Sequence, residues 1–158
     1  MIKNTLLKSG NVKEAQFVYP NTDLPIIECI KDYERRLNEL IEKNGTENKK
    51  VHVVTLGIGP DGHIASLFPP VNIDESIGEG RILQTQTERF DVKDRISISL
   101  PRITSASSQV FFMKGAEKLQ MLKEMSSDQQ NYSRWPAMSV VSSGNSVFVT
   151  DFQLPAQL

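Results

Sequence analysis

The chain has 158 residues, 18 Lys and Arg against 19 Asp and Glu, and one cysteine, Cys29. That length allows one ordinary domain with a core of its own, and a formal net charge of -1 argues against nucleic acid held through bulk positive charge. Hydrophobic content of 39% excludes wholesale disorder, no apolar run approaches the ~18 residues of a membrane span, and a lone cysteine without a secretory signal points to a reducing, cytoplasmic setting.

Near the start, Ile2, Leu6 and Leu7 share one face of a short helix that breaks at Ser9-Gly10-Asn11. Residues 15–19 read as a short strand stopped by Pro20. Asp23 is then a candidate N-cap, with Pro25 tolerated in the first turn. Ile26, Ile27, Ile30, Tyr33, Leu37, Leu40 and Ile41 recur at helical spacing among charged residues, which predicts an amphipathic helix ending near Asn44-Gly45. Residues 51–59 are β-branched and apolar, ending in glycines, and read as a buried parallel strand with His52 inside it as a structural residue.

Further along, Ile82-Leu83-Gln84-Thr85 forms a short strand, and residues 95–100 alternate with period two up to Pro101. Residues 110–113 are another strand. Ala116, Leu119, Leu122 and Met125 mark a helix that frays at Ser126-Ser127. Trp135-Pro136 breaks the chain again. The stretches 139–141 and 147–149 flank Ser142-Ser143-Gly144-Asn145, which reads either as a hairpin turn or as a short crossover. The alternation of helix and strand predicts a layered α/β fold in one domain over residues 1–158.

One segment carries chemistry: LGIGPDGHIASLFP at 56–69. Gly57, Gly59 and Gly62 follow a buried strand, and glycines let backbone approach a ligand closely. In open α/β sheets, ligands bind beyond the carboxyl ends of strands. His63 carries an imidazole and is a candidate general base, while Asp61 is placed to orient it or to hold a substrate hydroxyl. Backbone N–H groups freed by the turn would stabilise an oxyanion. The same residues also fit a generic surface turn with an exposed histidine. The spacing matches neither a P-loop nor a dinucleotide fingerprint. With only His52 and His63 present, and Cys29 far away in sequence, the sequence offers no metal site.

The segment 56–69 resembles the signature of 6-phosphogluconolactonases. RISISLPRITSASSQVFFMKGAEKLQML at 95–122 is similar to that family's strand, Leu-Pro turn, strand and helix start. RWPAMSVV at 134–141 resembles its later Pro-Ala segment, Asp151 its late acidic residue, and CIKDYERRLNEL at 29–40 the helix before the signature strand. The resemblance implies a Rossmann-like fold of the phosphosugar isomerase and lactonase type: a mostly parallel sheet flanked by helices. It also implies hydrolysis of 6-phosphoglucono-1,5-lactone to 6-phosphogluconate in the oxidative pentose phosphate pathway, with no metal or organic cofactor.

By the same resemblance, His63 would activate the water and Asp61 would orient it or the substrate. Gly57, Gly59, Gly62 and Ser66 would line the substrate site, and Lys118 would bind the sugar phosphate at a helix N-terminus. Arg95 recurs in the family before the Leu-Pro strand, and an internal ion pair is one reading of it.

The rival within the superfamily is a glucosamine-6-phosphate deaminase-like isomerase. It shares Asp-Gly-His-Ile, and Ala65 leans towards it, but its signature continues to Asn-Glu-Pro, where this chain has Leu67-Phe68-Pro69. Two family motifs are not found, an early Gly-Gly-Ser/Thr phosphate loop and an Asp-Glu-Arg stretch. The chain therefore resembles the C-terminal two-thirds of a lactonase domain, incomplete at the N-terminal side. A truncated, non-catalytic sugar-phosphate-binding or interaction fragment is a further alternative. Some family members are fused to glucose-6-phosphate dehydrogenase, so fusion or association with that enzyme is the expected partnership, with neither nucleic acid nor membrane as a partner.

Overall fold

The computed structural model describes residues 13–44, 50–71 and 82–156. The expected helix at the very start lies outside these residues. The chain divides into two compact units, Met1–Lys49 and Lys50–Leu158.

In the first unit, residues 15–19 do not form the expected strand. A single 3-10 turn, Glu14–Gln16, stands there, closed by a bond from the Gln16 N–H to the Lys13 carbonyl at 2.8 Å. Helix α1 (Ile26–Asn44) runs as its periodicity predicts. Its cap differs. The first intrahelical bond joins the Cys29 N–H to the Pro25 carbonyl at 2.8 Å, so proline opens the helix and Asp23 lies before it. Ile27 points to solvent at 54% exposure, which narrows the apolar stripe to the later positions. Asp32 is held by Arg35 and Arg36, one turn along on the same face, with nitrogen to oxygen distances of 2.9 and 2.7 Å.

The second unit is built on a three-stranded parallel sheet. Its strands are β1 (Val53–Leu56), β4 (Ser108–Met113) and β5 (Ser146–Thr150), in the order β1-β4-β5. Between β1 and β4 the chain makes a separate antiparallel hairpin, β2 (Ile82–Gln86) with β3 (Asp94–Ile98), and then the short helix α2 (Leu100–Thr104). Helices α3 (Ala116–Ser127) and α4 (Pro136–Val141) connect β4 to β5. Residues 139–141 end helix α4 and residues 147–149 lie in β5, so 142–145 is a helix-to-strand turn closing the crossover from β4 to the parallel β5, and not a hairpin.

Both prolines that looked like stop signals start helices. Pro101 and Pro136 occupy first-turn positions, where a missing N–H costs nothing because no intrahelical acceptor exists there. The period-two pattern of β4 puts Gln109, Phe111 and Met113 on one buried face. Leu56 from β1, Met121, Leu122 and Met125 from α3, and Ala137, Met138 and Val140 from α4 close over that face to form the core. The opposite face is apolar but open, with Val53, Phe112, Val147 and Val149 each about half exposed. Thus β1 is parallel as expected but buried on one side only. His52 precedes it and is exposed rather than held inside the strand.

Gln109 is fully buried and resolves a backbone problem at the end of α2. Its amide donates to the carbonyls of Ile103, Thr104 and Ala106 at 3.0–3.2 Å, at and just past the helix end, where Ile103 also accepts from the Ala106 N–H. Among the described residues no helix is long and apolar enough to cross a membrane.

Candidate active site

The signature loop leaves the carboxyl end of β1 and folds back on itself. The Gly59 N–H donates to the His63 carbonyl at 2.8 Å, and the Gly62 N–H donates to the Gly59 carbonyl at 3.0 Å. Ile64 forms isolated bridges with both Ile58 and Leu67, and its side chain is fully buried. This double closure brings Asp61 and His63 together. The two side chains meet at 2.5 Å between Asp61 Oδ1 and His63 Nδ1, and the His63 backbone N–H also donates to Oδ1 at 3.2 Å.

Two glycines are required by close approach. At Gly59 a Cβ would fall on the His63 ring. At Gly62 the backbone is left-handed, with φ +83°, and a Cβ would fall on the Trp135 ring.

Asp61 is 9% exposed. Burial pushes its carboxyl up, but the bonds from the His63 ring and backbone, together with the positive charge of Arg89, outweigh that and hold it below the ordinary carboxylate range. It is therefore an ionised acceptor at neutral pH. An ionised carboxylate cannot donate, so Nδ1 must carry the proton, and Nε2 keeps its lone pair for chemistry.

Sequence reading missed Arg89 entirely. It pairs with Asp61 Oδ2 from the loop between β2 and β3, closed by the Thr87 N–H to the Lys93 carbonyl at 3.1 Å. The same loop sets Phe90 edge-on to His63 at 6.4 Å between ring centroids, and Phe68 packs on His63 at 4.6 Å. Arg95 lies over the Phe90 ring at 5.2 Å and donates to the Val92 carbonyl at 3.0 Å. Among the described residues its partners are thus a ring and a carbonyl. Nothing in the sequence flagged residues 87–93, because they act through tertiary proximity and carry no spacing rule.

An open cavity of about 470 Å³ lies at this end of β1, lined among others by Gly57, Gly59, His63, Ala65, Ile98 and Ile103. Among the described residues, His63 is the titratable group in its wall. The other residues singled out in the sequence are placed differently. Gly57 is open on its Cα side. Gly62 is buried against Trp135, and the Ser66 N–H donates to Ser97 Oγ at 3.2 Å. Lys118, in the first turn of α3, reaches across to bond the Ile58 carbonyl, so it does stand beside the loop. At the start of the same helix, the Gly115 N–H is taken by the Asp151 carboxylate at 2.9 Å. The expectation of freed loop N–H groups fails for Gly59, Gly62 and His63, whose donors are spent inside the loop.

The site is thus a carboxylate-held histidine on the loop beyond the first strand of a parallel α/β sheet. The chain belongs to the glucosamine-6-phosphate isomerase/6-phosphogluconolactonase family, whose model matches residues 1–149. It is 42% identical over 143 residues to a probable 6-phosphogluconolactonase of Dictyostelium discoideum, covering 90% of this chain and 59% of that protein. It is 32% identical over 168 residues to a bifunctional glucose-6-phosphate 1-dehydrogenase/6-phosphogluconolactonase of Plasmodium falciparum, covering 86% of this chain and 18% of that one. The crystal structure of 6-phosphogluconolactonase from Plasmodium vivax superposes with a TM-score of 0.82 at 29% identity, over 94% of this chain and 60% of that one. The chain thus spans less than two-thirds of the length of these relatives.

Proposed function

We propose that this chain carries the hydrolytic centre of a 6-phosphogluconolactonase, acting on 6-phosphoglucono-1,5-lactone in the pentose phosphate pathway. The observation that carries the reading is the 2.5 Å contact between an ionised Asp61 and the Nδ1 of His63, at the mouth of a cavity beyond β1. His63 Nε2 takes a proton from water as the water oxygen attacks the lactone carbonyl. A tetrahedral intermediate forms, the ring C–O bond breaks, and the imidazolium returns its proton to the departing ring oxygen. One water is consumed and the open-chain acid is released. Asp61 holds the ring orientation and stabilises the imidazolium as it forms. Lys118 meets the sugar phosphate as a cation at the start of α3, with the N–H groups of that first turn.

Phe68 favours this reading over deamination. It stands against His63 where the deaminase signature places a glutamate, and a phenyl ring accepts no proton. The name of the Plasmodium falciparum relative joins a dehydrogenase activity to a lactonase. Association with a glucose-6-phosphate dehydrogenase is the corresponding partner for this chain, and co-purification tests it.

The functional test is lactone hydrolysis run beside glucosamine-6-phosphate deamination. Hydrolysis is expected, and His63→Ala should lower kcat by roughly 10²–10⁴, the usual contribution of a general base. Deamination without lactone turnover, or an unchanged rate in His63→Ala, would refute the assignment.

A further inference from the structure

The turn at residues 131–135 grips the signature loop at both ends. At the far end, the Val71 N–H donates to the Ser133 carbonyl at 2.9 Å and Ser133 Oγ donates to the Val71 carbonyl at 2.8 Å. At the near end, Arg134 donates through Nη1 to the backbone carbonyl of Asp61. The turn is itself stiff. The Trp135 N–H bonds the Asn131 carbonyl at 2.8 Å, the Arg134 N–H bonds Asn131 Oδ1 at 3.2 Å, and the Trp135 indole N–H bonds Asp128 at 3.2 Å.

The Arg134 guanidinium lies over the Trp135 ring, its Cζ 3.8 Å from the ring centroid. The same ring, 4% exposed, is the wall against which Gly62 rests. The carbonyl that Arg134 holds belongs to the peptide joining Asp61 to Gly62. That peptide is the pivot of the turn. If it rotates, Asp61 Oδ1 swings away from His63 Nδ1. A glycine with φ +83° on its far side offers little intrinsic resistance to such rotation.

We propose that Arg134 is a positioning residue for the Asp61–His63 pair. Stacked on Trp135 and bonded to the Asp61 carbonyl, it locks this peptide and so fixes which ring nitrogen of His63 carries the proton. The role rests on the lactonase reading for its effect on turnover, but not for its effect on His63 itself. Arginine suits the task because a planar guanidinium can stack on the indole and donate in its own plane, and an ammonium cannot do both.

The chain supplies its own reporters, with two histidines and one tryptophan. In the ¹⁵N-labelled protein, the two ring-nitrogen shifts of His63 tell which nitrogen bears the proton, and the wild-type chain should show Nδ1–H. Arg134→Met should shift His63 towards the Nε2–H tautomer. It should also lower kcat on the lactone by roughly 10–100-fold with KM within about twofold, the scale of a small misplacement of a catalytic group. Arg134→Lys, which keeps charge and donor but not the stacking, should fall between. Should Arg134→Met fail to fold, Arg134→Lys carries the same measurement. A wild-type His63 pattern in a folded Arg134 variant would overturn the proposal, even if the melting temperature fell. Absence of lactone turnover in the wild type would instead sink the functional reading, while the His63 spectrum still decides the role of Arg134.

Discussion

Substituting alanine at Gly62 tests the packing of the site against a matched control in the same molecule. Gly62 and Gly144 share nearly the same backbone, with φ of +83° and +82°. Their surroundings differ. A Cβ at Gly62 would lie 2.9 Å from Trp135 Cζ3 and closer still to Cε3, whereas at Gly144 it would meet nothing within 4 Å. Left-handed backbone costs a non-glycine residue about 1–2 kcal/mol. Forcing a methyl into a filled space costs about 1–3 kcal/mol more. Gly62→Ala should therefore lose about 2–5 kcal/mol and Gly144→Ala about 1–2 kcal/mol. At roughly 2–4 °C per kcal/mol for a chain of this size, the first should melt about 4–20 °C lower and the second about 2–8 °C lower. Urea and thermal melts followed by far-UV circular dichroism and by the fluorescence of Trp135, the single tryptophan, give both the stability and the local disturbance. Equal losses in the two variants, or an unaltered Trp135 spectrum in Gly62→Ala, would refute the claim that this turn is packed onto Trp135.

Three further outcomes are expected. Gln109→Met keeps the volume but strips the side-chain donor from the carbonyls of Thr104 and Ala106, while Ile103 keeps the Ala106 N–H, and at about 1–3 kcal/mol for each group left unpaired it should cost at least about 2 kcal/mol in a urea melt. Lys118→Ala should raise KM for the lactone while changing kcat little, provided the phosphate contact is equally strong in the ground and transition states, and an unchanged KM in steady-state assays would remove it from the binding site. The Asp61 carboxyl is lowered in the folded chain, so its contribution to stability is present above the ordinary carboxylate range and is lost as pH falls through the lowered value. Asp61→Asn should flatten this acid limb in melts across pH 2 to 6, leaving the smaller slope from Asp32 and Asp94, also lowered by their hydrogen bonds to Arg36 and Gln86.

What was legible in the sequence is what depends on neighbours along the chain. Helix α1 follows from the spacing of Ile30, Tyr33, Leu37 and Leu40, and strands β3 and β4 from period-two alternation. The string at 56–69 also located the Asp61–His63 turn, because glycines needed for close backbone approach leave a local signature. The sequence did not separate Pro101 or Pro136 as helix starts from chain breaks, since the same missing N–H ends one element and suits the first turn of another.

Only tertiary structure decided that 142–145 closes a crossover, because parallel pairing of β4 with β5 is a relation between distant segments. Only tertiary structure brought Arg89 and Phe90, from a loop that carries no motif, and Arg134, from the start of the 134–141 segment, to Asp61 and His63. Local spacing can place a histidine beside its carboxylate. The ring on which its turn rests, Trp135, and its charged partner, Arg89, are remote in the chain, and no period in the sequence encodes their arrival.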